Sequence, residues 1–252
     1  MTIRLQRNII YGPVNSRRLG SSLGINLLSS ERKICNFNCV YCQYDWTTIK
    51  RNDLFNDENY QDKHKVIDSL EKALFALTPA PNYITFSGNG EATLHPDFEF
   101  IVDEVIKLRD QYAPQSKAAI LSNSVGVTNP KIIKALAKLD EPIMKLDCGD
   151  EHLMKFYNRP VVKTSLEEIV AGLKLLREVT IQSLFTDGPH GNYKPDNIKH
   201  WLKYLVEISP KFVQIYSLDR GYPSENIYPL NVDKLLEIKE IVSETGIAAE
   251  VF

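Results

Sequence analysis

Six times along this chain a short apolar run, rich in β-branched and aromatic residues, gives way to a longer stretch whose apolar residues recur with the helical period. The predicted strands are residues 23–28, 83–86, 118–121, 143–146, 180–185 and 212–218, with a last short one at 248–252. Between them lie amphipathic stretches at 65–77, 98–112, 130–139, 165–177, 194–208 and 232–245. Such alternation predicts an α/β fold, a parallel sheet with helices outside it, as an open wound sheet or a partial barrel. In both, functional groups collect beyond the carboxyl ends of the strands. Polar clusters stand there: Ser87-Gly88-Asn89-Gly90-Glu91, Ser122-Asn123-Ser124, Asp147-Cys148-Gly149-Asp150, Thr186-Asp187-Gly188 and Asp219-Arg220-Gly221. Strand parity puts Lys145 and Asp147 on one face, with Met144, Leu146 and Cys148 on the other. Gln182, Gln214 and Tyr216 interrupt apolar runs, as core hydrogen-bonding groups or as the lining of a polar interior, and the second reading is preferred.

With 252 residues, 43% of them hydrophobic, the chain is long enough to bury a full core as one domain spanning 1–252. Residues 1–30 lead into the first strand. No run of eighteen apolar residues appears, so no membrane helix is expected, and residues 1–7 lack the apolar stretch of a secretory signal. A cytoplasmic location is expected. The 30 basic and 32 acidic residues leave a formal charge of −2, which gives no general support for a nucleic-acid partner.

Three of the four cysteines fall within Cys35-Asn36-Phe37-Asn38-Cys39-Val40-Tyr41-Cys42. Soft thiolates select iron–sulfur or zinc. Three of them on one short loop can hold three irons of a [4Fe–4S] cube and leave the fourth iron open for chemistry. Zinc is the competing metal; its fourth ligand would be Cys148, His64 or His95. A disulfide framework fits poorly, because three crowded cysteines cannot pair evenly.

The cysteine loop has the CxxxCxΦC form of the radical S-adenosylmethionine superfamily, with Tyr41 as the aromatic, and Gly88-Asn89-Gly90-Glu91 resembles that superfamily's GGE segment. The resemblance implies a partial (β/α)6 barrel. More narrowly, the chain resembles the radical enzymes grouped with wyosine-synthesis proteins. That likeness rests on Gly12-Pro13-Val14-Asn15-Ser16-Arg17-Arg18-Leu19-Gly20, on Ser22-Leu23-Gly24, on residues 86–96, on Lys145-Leu146-Asp147 and on Asn158-Arg159-Pro160. The implied chemistry is reductive cleavage of S-adenosylmethionine to a 5′-deoxyadenosyl radical, which abstracts hydrogen from an unassigned substrate. Cys35, Cys39 and Cys42 would hold the one [4Fe–4S] cluster. Tyr41 would lie near the adenine. The turn Gly88, Asn89, Gly90 and Glu91 would meet the methionyl amine, with Glu91 alternatively bracing it. Ser122 and Ser124, sharing a face, would meet ribose hydroxyls or carboxylate oxygens, with Asn123 a turn residue. Gln182 and Tyr216 are assigned to the cofactor as well. A flavodoxin or ferredoxin is expected as electron donor.

Substrate candidates are Arg17 and Arg18, which fit an anion bidentately or form surface ion pairs, Lys145 and Asp147, which contact substrate or each other, and Arg220. His95 is read as a capping or turn residue, and Trp46 and Trp201 as packing residues. Cys148 is either a hydrogen donor or a small buried hydrophobe, with the inert reading preferred. The insertion after the cysteine loop, residues 43–64, is long and polar, a lid or a docking surface. Wyosine-forming enzymes use a second cluster, and no cysteine precedes Cys35 to supply one. A tRNA-modifying enzyme and a glycyl-radical activating enzyme acting on a protein are the alternative readings, and a zinc-binding structural module is the non-enzymatic one.

Overall fold

The computed structural model describes residues 2–252. Its main sheet has eight strands in the order β1 (Ile10–Ser16), β2 (Gly20–Ile25), β3 (Tyr83–Phe86), β4 (Lys117–Ser122), β5 (Glu141–Lys145), β6 (Thr180–Leu184), β8 (Phe212–Tyr216) and β10 (Ala249–Val251). From β2 onward every neighbouring pair is parallel; β1 pairs antiparallel with β2 as a hairpin. A separate two-stranded antiparallel pair joins β7 (Thr186–Asp187) to β9 (Tyr228–Pro229). The helices are α1 (Lys63–Ala76), α2 (Phe98–Tyr112), α3 (Pro130–Leu136), α4 (Glu151–Tyr157), α5 (Leu166–Leu173), α6 (Pro195–Ile208) and α7 (Val232–Ser243). This is the α/β arrangement the alternation predicts, six parallel strands flanked by one further strand at each edge.

Five of the seven helices, α1, α3, α4, α5 and α7, start where a side-chain oxygen accepts from the first free amides. Asp62 caps α1 through the amides of His64 and Lys65, and Ser165 with Glu168 forms a reciprocal capping box on α5. Each helix turns an apolar stripe onto the sheet. Val66, Leu70, Ile101, Val105, Leu173 and Leu205 are all fully buried against strand residues such as Phe86, Ile120 and Ile181. Trp201 on α6 is buried edge-on to Phe185, with ring centroids 5.0 Å apart, and its indole donates to Leu146 O at 2.9 Å. It is a packing residue, as its position in the helical period predicts.

Strand β1, helix α4 and the short strands β7 and β9 were not read from the sequence. Strand β1 contains Gly12-Pro13, a turn signature, and the strand carries it by a register shift between Tyr11 and Val14 on an edge, where proline is tolerated. Helix α4 is only seven residues long and starts at the Asp150 cap. The first parallel strand also lies earlier than predicted. It ends at Ile25 because Asn26 turns the chain, its amide donating to Leu28 O at 2.9 Å.

The hairpin at one edge of the sheet touches the loop beyond β8, near the other edge. Arg17 pairs with Asp219 at 2.9 Å, and the Arg18 guanidinium lies 4.6 Å from the centre of the Tyr216 ring. The curled sheet is thus bridged by side chains across its open side. The 43–64 insertion is tied down. Leu28, Ile34, Ile49 and Leu54 form a second small core under it, with Tyr60 and Val161 packed alongside. Among the described residues, no helix is long and apolar enough to cross a membrane.

Candidate active site at the cysteine loop

The cysteine loop follows β2 and is stitched to the protein on both flanks. On one side Ile34 pairs with the turn after β3: Ile34 N donates to Asn89 O and Glu91 N donates to Ile34 O, both at 2.9 Å. Gly90 makes this possible. Its φ is +144°, and a β-carbon there would stand 1.8 Å from Ile34 O. On the other side, Asn38 N donates to Asn158 O at 3.0 Å, Val40 N to Tyr157 O at 3.0 Å, and Val161 N to Asn36 O at 2.9 Å. The loop is therefore clamped between the β3 turn and the end of α4.

Its sulfurs are met by N–H donors. Cys35 Sγ accepts from Phe37 N at 3.4 Å and from Asn123 Nδ2 at 3.6 Å; Cys39 Sγ accepts from Asn158 Nδ2 at 3.6 Å. Burial pushes the Cys35 thiol up to about 12 and the Cys39 thiol up to about 11, while the Lys33 ammonium pulls both the other way. Thiolates must form for a metal to bind, so loading releases protons. Three soft donors, amides directed at two of them and a buried cation beside them make a donor set that fits an iron–sulfur cluster. Among the described residues, no three His, Cys, Asp or Glu side chains converge as ligands of one ion. Thiolates that each hold a different iron of a cube stand farther apart than ligands sharing one metal.

His95 is occupied elsewhere. Its Nδ1 accepts from Asp97 N at 3.0 Å, and its Nε2 lies 2.8 Å from Gln61 O. It fastens a turn, as the sequence suggests. Cys148 is 1% exposed, and its Sγ donates to Asn158 Oδ1 at 3.8 Å.

The turn after β3 is organised by Glu91, which is 1% exposed. Its Oε1 accepts from Thr93 N at 3.1 Å, Thr93 Oγ1 at 2.7 Å and Ser122 Oγ at 2.9 Å, and its Oε2 accepts from Asn123 N at 2.6 Å. Burial raises its pKa and these donors oppose the rise. The side chain of Asn89 is taken up too: Nδ2 donates to Gln6 O and Ser29 O at 2.8 Å, and Oδ1 accepts from Gln6 N at 2.7 Å. Asn89 and Glu91 thus brace the turn, and within it Gly90 N donates to Gly88 O at 3.0 Å.

Parity failed just past β4. The Ser122 hydroxyl is held by Glu91, and Ser124 Oγ donates to Lys145 O at 2.7 Å, whereas Asn123 reaches the cysteine loop, 2.6 Å from Asn36 Oδ1. The strand ends at Ser122 and Ser124 has φ +75°, so the two-residue alternation no longer applies.

Inside the sheet, the predicted polar residues form one network. Asp147 Oδ1 accepts from Lys145 Nζ at 2.7 Å and from Leu184 N at 2.8 Å; Oδ2 accepts from Asn158 Nδ2 at 2.8 Å and from the Tyr41 hydroxyl. Lys145 Nζ continues to Tyr216 OH at 3.0 Å, Tyr216 OH to Gln182 Oε1 at 3.3 Å, and Gln182 Nε2 to Gln214 Oε1 at 2.7 Å. Burial alone would lower the Lys145 pKa, but the Asp147 carboxylate outweighs it and holds the ammonium above its ordinary value. Burial, then Asp147, keeps the Tyr41 phenol well above its ordinary value. Lys145 and Asp147 are an ion pair with each other. Arg17 forms an exposed pair with Asp219, Arg220 donates to Gln43 Oε1 at 2.9 Å, and Arg18 lies nearest the interior, on Tyr216. Sequence reasoning gave Lys33 and Asn158 no role of their own, and it read Asn123 as a turn residue, a role its Oδ1 does fill by accepting from Val125 N at 3.0 Å. Only the position of Lys33, two residues before Cys35, and the motif containing Asn158 pointed to those two.

Residues 33–205 match the family model of the radical SAM superfamily. The chain belongs to the radical SAM superfamily. Membership implies a [4Fe–4S] cluster and S-adenosylmethionine, and the protein is an enzyme. It is 31% identical over 235 residues to a UPF0026 protein of Helicobacter pylori, covering 91% of this chain and 72% of that one. It is 27% identical over 240 residues to a Brachyspira hyodysenteriae protein named GTPase Obg, covering 94% of this chain but only 34% of that one, about a third of its length. Among solved structures, a radical SAM methyltransferase from Sphaerobacter thermophilus superposes with a TM-score of 0.67 at 14% identity, covering 92% of this chain and 65% of that one. TYW1 with a lysine-pyruvate adduct bound superposes at 0.62 and 15% identity, covering 88% and 73%. At these identities the structural matches establish the fold.

Proposed function

We propose that this radical SAM enzyme carries one [4Fe–4S] cluster on Cys35, Cys39 and Cys42 and abstracts hydrogen from a substrate held over the interior polar network. When bound, the cluster and S-adenosylmethionine supply an electron and a 5′-deoxyadenosyl radical. The carrying observation is continuity: Asn158 touches both the Cys39 sulfur and Asp147, so the metal loop and the network through Lys145, Tyr216 and Gln182 form one site. In that site Asp147 fixes the Lys145 ammonium, and Gly88 and Gly90 leave room for Asn26 and Ile34 beside the turn. Arg18 and Lys145 flank Tyr216 and suit a substrate with an anionic group.

The electron comes from a small acidic redox protein of the flavodoxin or ferredoxin kind. A cavity of about 400 Å³ with Val40 of the cysteine loop in its wall, and Trp46, Phe156, Lys155 and Arg159 around it, supports that docking site. Its lining includes Lys155, which is paired with Glu151 at 2.9 Å, Glu225, and Arg159, whose guanidinium stacks 4.7 Å from the Trp46 ring and makes no ion pair among the described residues.

Anaerobic reconstitution with iron and sulfide, dithionite reduction and assay for 5′-deoxyadenosine test the reaction. Four irons per chain with slow 5′-deoxyadenosine release is the expected result. A colourless protein holding zinc and leaving S-adenosylmethionine intact would overturn it.

A further inference from the structure

Lys33 is 7% exposed, and among the described residues no carboxylate pairs with it. Its Nζ donates to Asp45 O at 2.7 Å, so the side chain crosses the cysteine loop from its entrance, two residues before Cys35, to its exit, three residues after Cys42. Placed so, the side chain runs past the loop that carries Cys35, Cys39 and Cys42; burial would lower the ammonium's pKa, and the sulfurs of Cys42, Cys35 and Cys39 outweigh it and hold it above its ordinary value. The other lysine deep in the site, Lys145, has Asp147 at 2.7 Å. An ammonium removed from water costs several kcal/mol unless an anion faces it. Among the described residues, the anion that the surroundings of Lys33 can supply is the metal-loaded thiolate set.

We infer that Lys33 is a positioning residue for the cluster, balancing its negative charge and setting its reduction potential. This rests on the single-cluster reading above. A [4Fe–4S] core of charge 2+ on three thiolates is a monoanion. One electron takes the core to 1+ and the whole to a dianion, while Lys33 keeps its proton throughout. A fixed cation attracts the dianion more strongly than the monoanion, so it favours reduction.

A purely structural Lys33, needed only to tie the loop to Asp45 O, would act through its length and its N–H. The experiment separates the two. Wild type, K33M and K33R are reconstituted anaerobically, iron and sulfide are counted, and dithionite titration followed by electron paramagnetic resonance gives the midpoint potential without S-adenosylmethionine or substrate. With equal iron, K33M is expected to show a midpoint more negative by about 59 mV, a tenfold lower ratio of reduced to oxidised cluster at a fixed potential for a one-electron couple. K33R, which keeps the charge, is expected to stay near wild type. An unchanged midpoint in fully loaded K33M would overturn the inference. Should K33M bind no iron, circular dichroism establishes whether it is folded. A folded K33M that stays empty while K33R loads supports the charge role, and equal failure of K33R, or an unfolded K33M, overturns it. If wild type itself binds no iron, it is the cluster assignment that falls.

Discussion

Asn158 makes contacts in three directions from a position 3% exposed. Its Nδ2 reaches Asp147 at 2.8 Å, Tyr41 OH at 3.3 Å and the Cys39 sulfur at 3.6 Å, and its Oδ1 receives the Cys148 thiol. Truncation to alanine leaves a buried carboxylate short of a donor. Asn158→Ala is therefore expected to lower the stability of the metal-free chain by about 1–3 kcal/mol in urea unfolding; wild-type stability would place Asn158 outside the network. Backbone constraint gives a second residue-scale prediction. Gly90 and Gly246 both have positive φ, but a β-carbon at Gly246 meets nothing within 4 Å, whereas at Gly90 it overlaps a backbone carbonyl. Gly246→Ala should cost about 1–2 kcal/mol, the conformational penalty alone. Gly90→Ala should cost more than about 3 kcal/mol, because the bridge to Ile34 has to break. Equal losses in a denaturant titration would show that steric overlap at Gly90 is relieved elsewhere.

Among the elements, the turn between β3 and α2 carries a pH dependence. His95 accepts from Asp97 N through Nδ1, which only the neutral ring can do, and burial holds its pKa below the ordinary 6.5. Folding therefore favours the unprotonated form. The stabilisation is present in full above about pH 6.5 and fades as the pH falls through that value toward the folded pKa. In His95→Asn, the stability difference from wild type should shrink on going from pH 7.5 to pH 5.5, and a constant difference would exclude titration of this ring. A second prediction concerns the segment after α4. If the cavity beside Val40 receives an acidic redox protein, Arg159→Glu should slow cluster reduction by reduced flavodoxin while leaving reduction by dithionite unchanged; slowing of both would make Arg159 a cluster residue instead. At this scale the sequence was legible where elements were regular. Parity carried past the end of β5 at Lys145 put Lys145 and Asp147 on one face, and they meet. Past β4 it was no guide to Ser122 and Ser124, because the chain turns there with φ +75° at Ser124, and it could not show that Asn89 is held by Gln6, a contact across 83 positions.

For the whole molecule, alternation was enough to name the class of fold, since each parallel strand needs a crossover helix to return the chain. It could not reveal the β1 hairpin or its reach to Asp219, because those depend on how far the sheet curls. The Arg17–Asp219 pair bridging that gap is exposed on both sides, 60% and 59%, so it sets approach more than stability. The larger question is whether the fold depends on the metal. The principal core runs from Leu23 to Ala249 through sheet and helices and takes in Cys35, Phe37 and Val40 of the cysteine loop, which is also held by backbone bonds to the β3 turn, to the end of α4 and, from Ser224 N, to Val40 O. Small zinc modules unfold without metal because they have no such core. Here, loss of the cluster should loosen residues 33–47, 157–161 and 223–226 and leave the sheet intact. Hydrogen exchange of the metal-free and loaded protein is expected to differ in those three segments, with strands β3 to β8 protected alike. Exchange rising throughout the sheet on metal removal would mean that the cluster, and not the apolar core, holds the barrel together.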